Sequence, residues 1–151
     1  MPTWVTPKTD FAAGEVLTYT HLINIGTDLT MLAGSGSYAL ARASGTGSTS
    51  STSYSDISGL SLSLTRSGKW LVQLCVWGYA SGGSNYCTIS VAGSDDSNAA
   101  YTTSSGYVAI LNFYEVTVSG SATVKGRYKA GAGTAYYGQD GTFIYARWVG
   151  P

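Results

Sequence analysis

Charged side chains are scarce in this sequence. Lys and Arg number 8, Asp and Glu number 8, and together they make 11% of 151 residues, with a formal net charge of zero. About a quarter is usual. A face that holds phosphates needs a concentration of Lys and Arg, so nucleic acid is not expected as a partner. A surface this poor in charge takes its polarity from Ser, Thr, Gly, Asn and Tyr. It suits a chain partly covered by neighbours in an assembly, because near-zero net charge is a poor basis for a free soluble monomer.

Histidine occurs once, as His21. A Ser-His-Asp triad has to use it, yet no nucleophile motif stands beside it and no Gly-x-Ser-x-Gly occurs. The few scattered acids give no reason to expect the paired carboxylates of a glycosidase, so the chain is not expected to be an enzyme. Of the two cysteines, Cys75 and Cys87, neither belongs to a Cys-x-x-Cys or Cys/His grouping, and zinc is not expected. Asp95-Asp96 lacks the Asp-x-Asp-x-Asp-Gly pattern of a calcium loop and reads as a solvated turn. No metal or cofactor is expected. No apolar run reaches the roughly 20 residues that span a bilayer. The first residues lack the basic and apolar regions of a secretory signal, so neither membrane nor leader is expected.

Gly and Tyr are plentiful, at 20 and 12. That composition points to many turns and many strands. The organising stretch is Lys69–Ala80, KWLVQLCVWGYA. Alternate positions put Trp70, Val72, Leu74 and Val76 on one face and Leu71, Gln73, Cys75, Trp77 and Tyr79 on the other. Both are largely apolar, which predicts a central strand covered on both sides. Ser81-Gly82-Gly83 reads as a turn that ends it. A strand over 86–91 follows, then a turn at 92–98 and a short edge strand at 101–103. Tyr107–Val118 is a second long strand, again apolar on both faces. Residues 122–129 form a strand, 130–133 a loop, 135–137 a short strand, and 142–149 a last strand after the hairpin signal Asp140-Gly141. Upstream, Leu60, Leu62 and Leu64 alternate with Ser as in a half-buried strand. The expected fold is all-β, an antiparallel sandwich of about eight strands over 59–151, a jelly roll or a similar packing of two sheets. In so small a domain, the second covering of doubly apolar strands is often an identical subunit.

Before that domain, residues 1–17 read as an extended arm. Residues 18–34 read as a short helix with Leu22, Ile25, Leu29 and Leu32 on one seam. Residues 35–58 form a Gly/Ser/Thr-rich connector with a possible first strand at 38–42. Cys75 and Cys87 either pair across adjacent strands or remain buried free thiols. Glu115, inside an apolar strand, needs a partner, with Arg127 or Arg147 in reach. Lys125, Arg127 and Lys129 alternate into a local basic stripe. The tyrosines Tyr79, Tyr86, Tyr101, Tyr107, Tyr114, Tyr136 and Tyr137 suit protein contacts and sugar stacking.

Several landmarks resemble the jelly-roll superfamily of complement globular heads and tumour-necrosis-factor-like domains. They are Gly68-Lys69-Trp70, Cys87 to Gly93, Gly120 to Val124, and Thr142 to Arg147. The resemblance implies a homotrimer joined through aromatic-rich faces. The N-terminus is similar to the opening of small tailed-bacteriophage structural proteins, through Trp4, Pro7-Lys8-Thr9, Gly14-Glu15-Val16, Thr20 and the segment 22–32. The two together imply a virion protein, a trimeric capsid decoration on the outer surface of the phage head, with the major capsid protein or another virion protein as partner. Attachment is then assigned to Trp4, Val5, Phe11, Val16 and Leu17. Trimerisation is assigned to Leu22, Ile25, Leu29, Leu32, Trp77, Tyr79, Tyr114 and Tyr145. The alternative is a tail or fibre module that recognises host surface polysaccharide.

Overall fold

The computed structural model describes residues 38–151. The expected arm with Trp4, Val5, Phe11, Val16 and Leu17, and the helix with Leu22, Ile25, Leu29 and Leu32, lie outside the described residues. Nine strands follow among those described: β1 (Tyr38–Arg42), β2 (Gly47–Thr49), β3 (Ser55–Leu64), β4 (Gly68–Val91), β5 (Ser94–Asp95), β6 (Ala100–Thr102), β7 (Val108–Val118), β8 (Ala122–Tyr137) and β9 (Phe143–Gly150). Every pairing is antiparallel. The described residues form a curled antiparallel jelly roll.

β4 organises the sandwich by belonging to both sheets. Its first part pairs with β7 from Gly68 to Gly78 and with β9 from Lys69 to Cys75, and β1 extends that sheet beyond β9. Its second part pairs with β8 from Gly78 to Val91, with β5 and β6 on its other edge and with β2 and β3 beyond β8. The predicted turn at Ser81-Gly82-Gly83 is instead a bulge inside one 24-residue strand. The predicted loop at 130–133 is likewise part of β8. The glycines are there for backbone approach rather than for reversal. A Cβ on Gly83 would run into the Ala132 carbonyl, and one on Gly133, at φ +65°, into that of Ser81. An extra residue in one strand bends and twists it, and here the bend carries both strands from one sheet into the other.

Asn85 stands at this crossover and is fully buried. Its Nδ2 donates to the Tyr136 carbonyl at 2.8 Å and to the Tyr79 carbonyl at 3.3 Å. The core lies between the sheets and takes Trp70, Val72, Leu74 and Val76 from β4, Leu60 and Leu64 from β3, and Ile144 and Ala146 from β9. The Trp70 indole donates to the Arg66 carbonyl and that of Trp148 to the Ser67 carbonyl, so both rings are buried with their N–H groups satisfied.

Cys75 and Cys87 are both free, both buried, and both on β4, not on neighbouring strands. Burial raises both thiol pKa values, that of Cys87 far above the ordinary range. The thiolate is the reactive form. A thiol reagent added to the native protein should therefore leave Cys87 unmodified, with both cysteines reacting once the chain is denatured; rapid native labelling of Cys87 would contradict this packing.

The expected turn at 92–98 begins as a two-residue hairpin between Val91 and Ser94. Ala92 has φ 50° and Gly93 φ 90°, positive at both central positions as in a type I′ turn, where Asn-Gly is favoured. Ala92→Asn should raise stability by about 0.5–1 kcal/mol in denaturant unfolding; a loss of stability would refute this account of the turn.

Candidate functional site

Three surfaces carry chemistry. The first is the outward face of the sheet β1-β9-β4-β7. Register places Leu40, Tyr145, Gln73 and Phe113 in one cross-strand row, and Arg42, Phe143, Cys75 and Leu111 in the next. Leu40, Leu71, Trp77, Leu111 and Phe113 are between 40% and 56% exposed. Single exposed hydrophobics are ordinary, but a contiguous sheet of them marks an interaction surface. Both long strands were expected to be covered on both faces. Among the described residues only the inward rows are covered, and the outward rows are left exposed. Of the aromatics assigned to self-association, Trp77 and Tyr145 lie on this face, with Tyr79 just beyond on the same side of β4. Tyr114 is a correction. It pairs with Val72 on the inward row of β7 and packs against the core, because the two-residue period of the strand turns it away from Phe113. Glu115 pairs with Lys69 at 3.6 Å, its cross-strand diagonal neighbour, and not with the expected Arg127 or Arg147.

The second surface is aromatic and lies past the point where β9 stops pairing with β4. Tyr79 and Tyr136 are register partners, and Ser48 of β2 is the next residue in that row. The Tyr79 and Tyr136 rings stack with centroids 4.4 Å apart and planes within 2°. Tyr107 meets Tyr79 edge-on at 4.7 Å and lies within 10° of parallel to Trp77 at 6.1 Å. Three connections close around them: Gly138 N–H donates to the Trp77 carbonyl, Ala80 N–H to that of Ser104, and Ala43 N–H to that of Thr142. Trp77 N–H is itself held by Thr142 Oγ1 at 3.0 Å. Beside the rings is a groove of about 400 Å³ lined by Thr46, Gly47, Ser48, Tyr107, Tyr136 and Tyr137.

The third surface is a cleft of about 550 Å³ on the other sheet, bordered by Asp56, Ser90, Lys125 and Arg127. The expected basic stripe is neutralised there. Lys125 Nζ reaches Asp56 Oδ2 at 2.6 Å, Arg127 Nη1 donates to both oxygens of Asp95 at 2.8 Å, and Arg127 Nη2 donates to the Tyr54 carbonyl. Lys129 lies 4.5 Å over the Tyr54 ring. The hydrogen bond from Lys125 holds the Asp56 carboxyl below the ordinary carboxylate range. A depressed folded-state pKa adds stability above the unfolded value near 4 that is lost as pH falls through the folded value. The pair is exposed, so Asp56→Asn should cost less than about 1 kcal/mol at neutral pH, and its stability should differ less from the parent below pH 3 than at pH 7. A constant difference across that range would contradict the ion pair's role.

No family model matches this chain, and no curated protein matches it in sequence. Solved structures do match it in fold. Eiger TNF from S. frugiperda superposes with a TM-score of 0.54 at 11% identity, over 74% of this chain and 90% of that one. Murine APRIL at pH 5.0 gives 0.54 at 10% identity, over 74% and 97%. At these identities the likeness establishes the architecture, a tumour-necrosis-factor-like jelly roll, and leaves function to the side chains.

Proposed function

We propose that this protein is a self-associating structural module without enzymatic activity, a homotrimer joined through the outward face of the β1-β9-β4-β7 sheet. The observation that carries the proposal is the row structure of that face, with Leu40, Leu71, Leu111 and Phe113 exposed together on a sheet whose only ion pair among the described residues, Lys69–Glu115, sits at its margin. Burying such a face gains roughly 25 cal/mol per Å², and a cyclic arrangement of identical copies covers every one of them. The face itself requires only a covering copy. The number three is supported by the resemblance to trimer-forming jelly rolls.

We place the trimer on a tailed-phage virion, as a capsid decoration attached through the N-terminal arm. This rests on the order of sequence landmarks from Trp4 to Leu32 and on the scarcity of charge. Binding only to the assembled shell would stabilise it by mass action. Deleting residues 1–17 should then leave a self-associated protein that no longer binds phage heads assembled without it, as measured by co-sedimentation. Full occupancy by the truncated protein would overturn the arm's role. If the intact protein ignored heads but bound host cells, the module would belong to the tail.

A further inference from the structure

We propose that the groove beside Tyr107 and Tyr136 binds a neutral saccharide. The inference goes beyond self-association, because the groove lies past the end of β9's pairing and involves β2 and β8, which do not belong to the four-stranded apolar sheet. Four observations carry it. First, its volume of about 400 Å³ falls within the range of small-molecule sites. Second, the six lining residues include no Asp, Glu, Lys or Arg, so an anionic or cationic ligand would enter without a counter-charge while a neutral one loses nothing. Third, the walls supply hydroxyls, from Thr46, Ser48 and the tyrosines, beside ring carbon. A pyranose has the matching surface, C–H groups on one side and hydroxyls around its edge. A purely apolar ligand would strip water from those hydroxyls and give nothing back.

The fourth observation is that the rings are already in place. Tyr136 is stacked on Tyr79, Tyr79 is met edge-on by Tyr107, and Tyr107 is aligned with Trp77. A ring with two χ angles already fixed by its neighbours loses little freedom when a ligand settles on it. Glycines make the shape. A Cβ on Gly47 would strike the Tyr137 ring, and one on Gly138 would crowd both Tyr107 and Trp77. Gly47 thus lets β2 pass close over the buried Tyr137 ring at the groove's edge. Gly138 lets the connection from β8 to β9 pass close to the Trp77–Tyr107 pair.

The test is titration of the full-length protein with neutral tetrasaccharides of glucose, mannose, galactose and N-acetylglucosamine, followed by calorimetry or by NMR saturation transfer. At least one should bind saturably in the micromolar-to-millimolar range. Tyr107→Ala and Tyr136→Ala should each weaken that binding about tenfold or more, with unchanged oligomer mass and an unchanged far-ultraviolet circular dichroism spectrum. Tyr107→Phe, which keeps the ring, should retain most of it. Three results would overturn the inference: no saturable binding of any of the four, binding unchanged in both alanine variants, or tighter binding of uronic or sulfated oligosaccharides than of neutral ones. Because oligomer mass is read on the same samples, a failure of the groove is distinguishable from a failure of self-association.

Discussion

Phe113→Glu should convert the proposed trimer to a folded monomer. Phe113 is 56% exposed in the single chain and makes no part of the core, so its replacement does not disturb the sandwich. It stands in the row with Leu40, Gln73 and Tyr145, and the cations near this face, Arg42, Lys69 and Arg147, belong to other rows. A carboxylate buried there without a partner costs several kcal/mol per copy, and a cyclic trimer meets that cost three times. Sedimentation velocity should show one-chain mass at concentrations where the parent is fully associated, with an unchanged far-ultraviolet circular dichroism spectrum. If the variant associates like the parent, the interface is elsewhere. Thr117→Glu, on the same face but next to the margin, should leave the mass unaltered.

Asn85→Ala should lower stability by about 2–3 kcal/mol and the unfolding midpoint by roughly 10 °C. Asn85 is fully buried and closes the gap left where β4 and β8 bend between sheets, with its amide held by the carbonyls of Tyr79 and Tyr136. Alanine leaves both carbonyls without this donor at a buried position, and each such group costs about 1–3 kcal/mol. Asn85→Asp should do worse, since it swaps a donor for a charge facing two carbonyl oxygens. A midpoint within 2 °C of the parent for both variants would show that the crossover does not depend on this side chain. The Tyr79–Tyr136 stack springs from the same two residues, so loss of Asn85 should also loosen the aromatic groove.

The inward half of this fold is legible in the sequence because a period of two is hard to mistake. Trp70, Val72, Leu74 and Val76 read as core and are core, and Leu60, Leu62 and Leu64 behave likewise. The long strands were misread where glycine did two different jobs. Gly82-Gly83 and Gly131–Gly133 look like turns, yet they mark facing bulges in two strands that continue, and only the opposing backbone distinguishes close approach from reversal. The partner of Glu115 is not legible along the chain, because the pairing of β4 with β7 sets the distant Lys69 beside it. The basic stripe at 125–129 read correctly as alternation, but Asp56 and Asp95, far away in sequence, neutralise it. The seven tyrosines were visible as amphipathic surface. Their division into a core ring at Tyr137, an inward ring at Tyr114, a stacked cross-strand pair at Tyr86 and Tyr101, and a groove around Tyr79, Tyr107 and Tyr136 depends on the register between strands, which no local pattern encodes.

The most direct test of the central claim is the mass of the unmodified full-length protein by sedimentation equilibrium over a concentration series. Covering of the β1-β9-β4-β7 face by identical copies predicts a mass above one chain that persists at micromolar concentration, and the resemblance to trimer-forming jelly rolls sets the expected value at three chains. A single-chain mass throughout the series would contradict it.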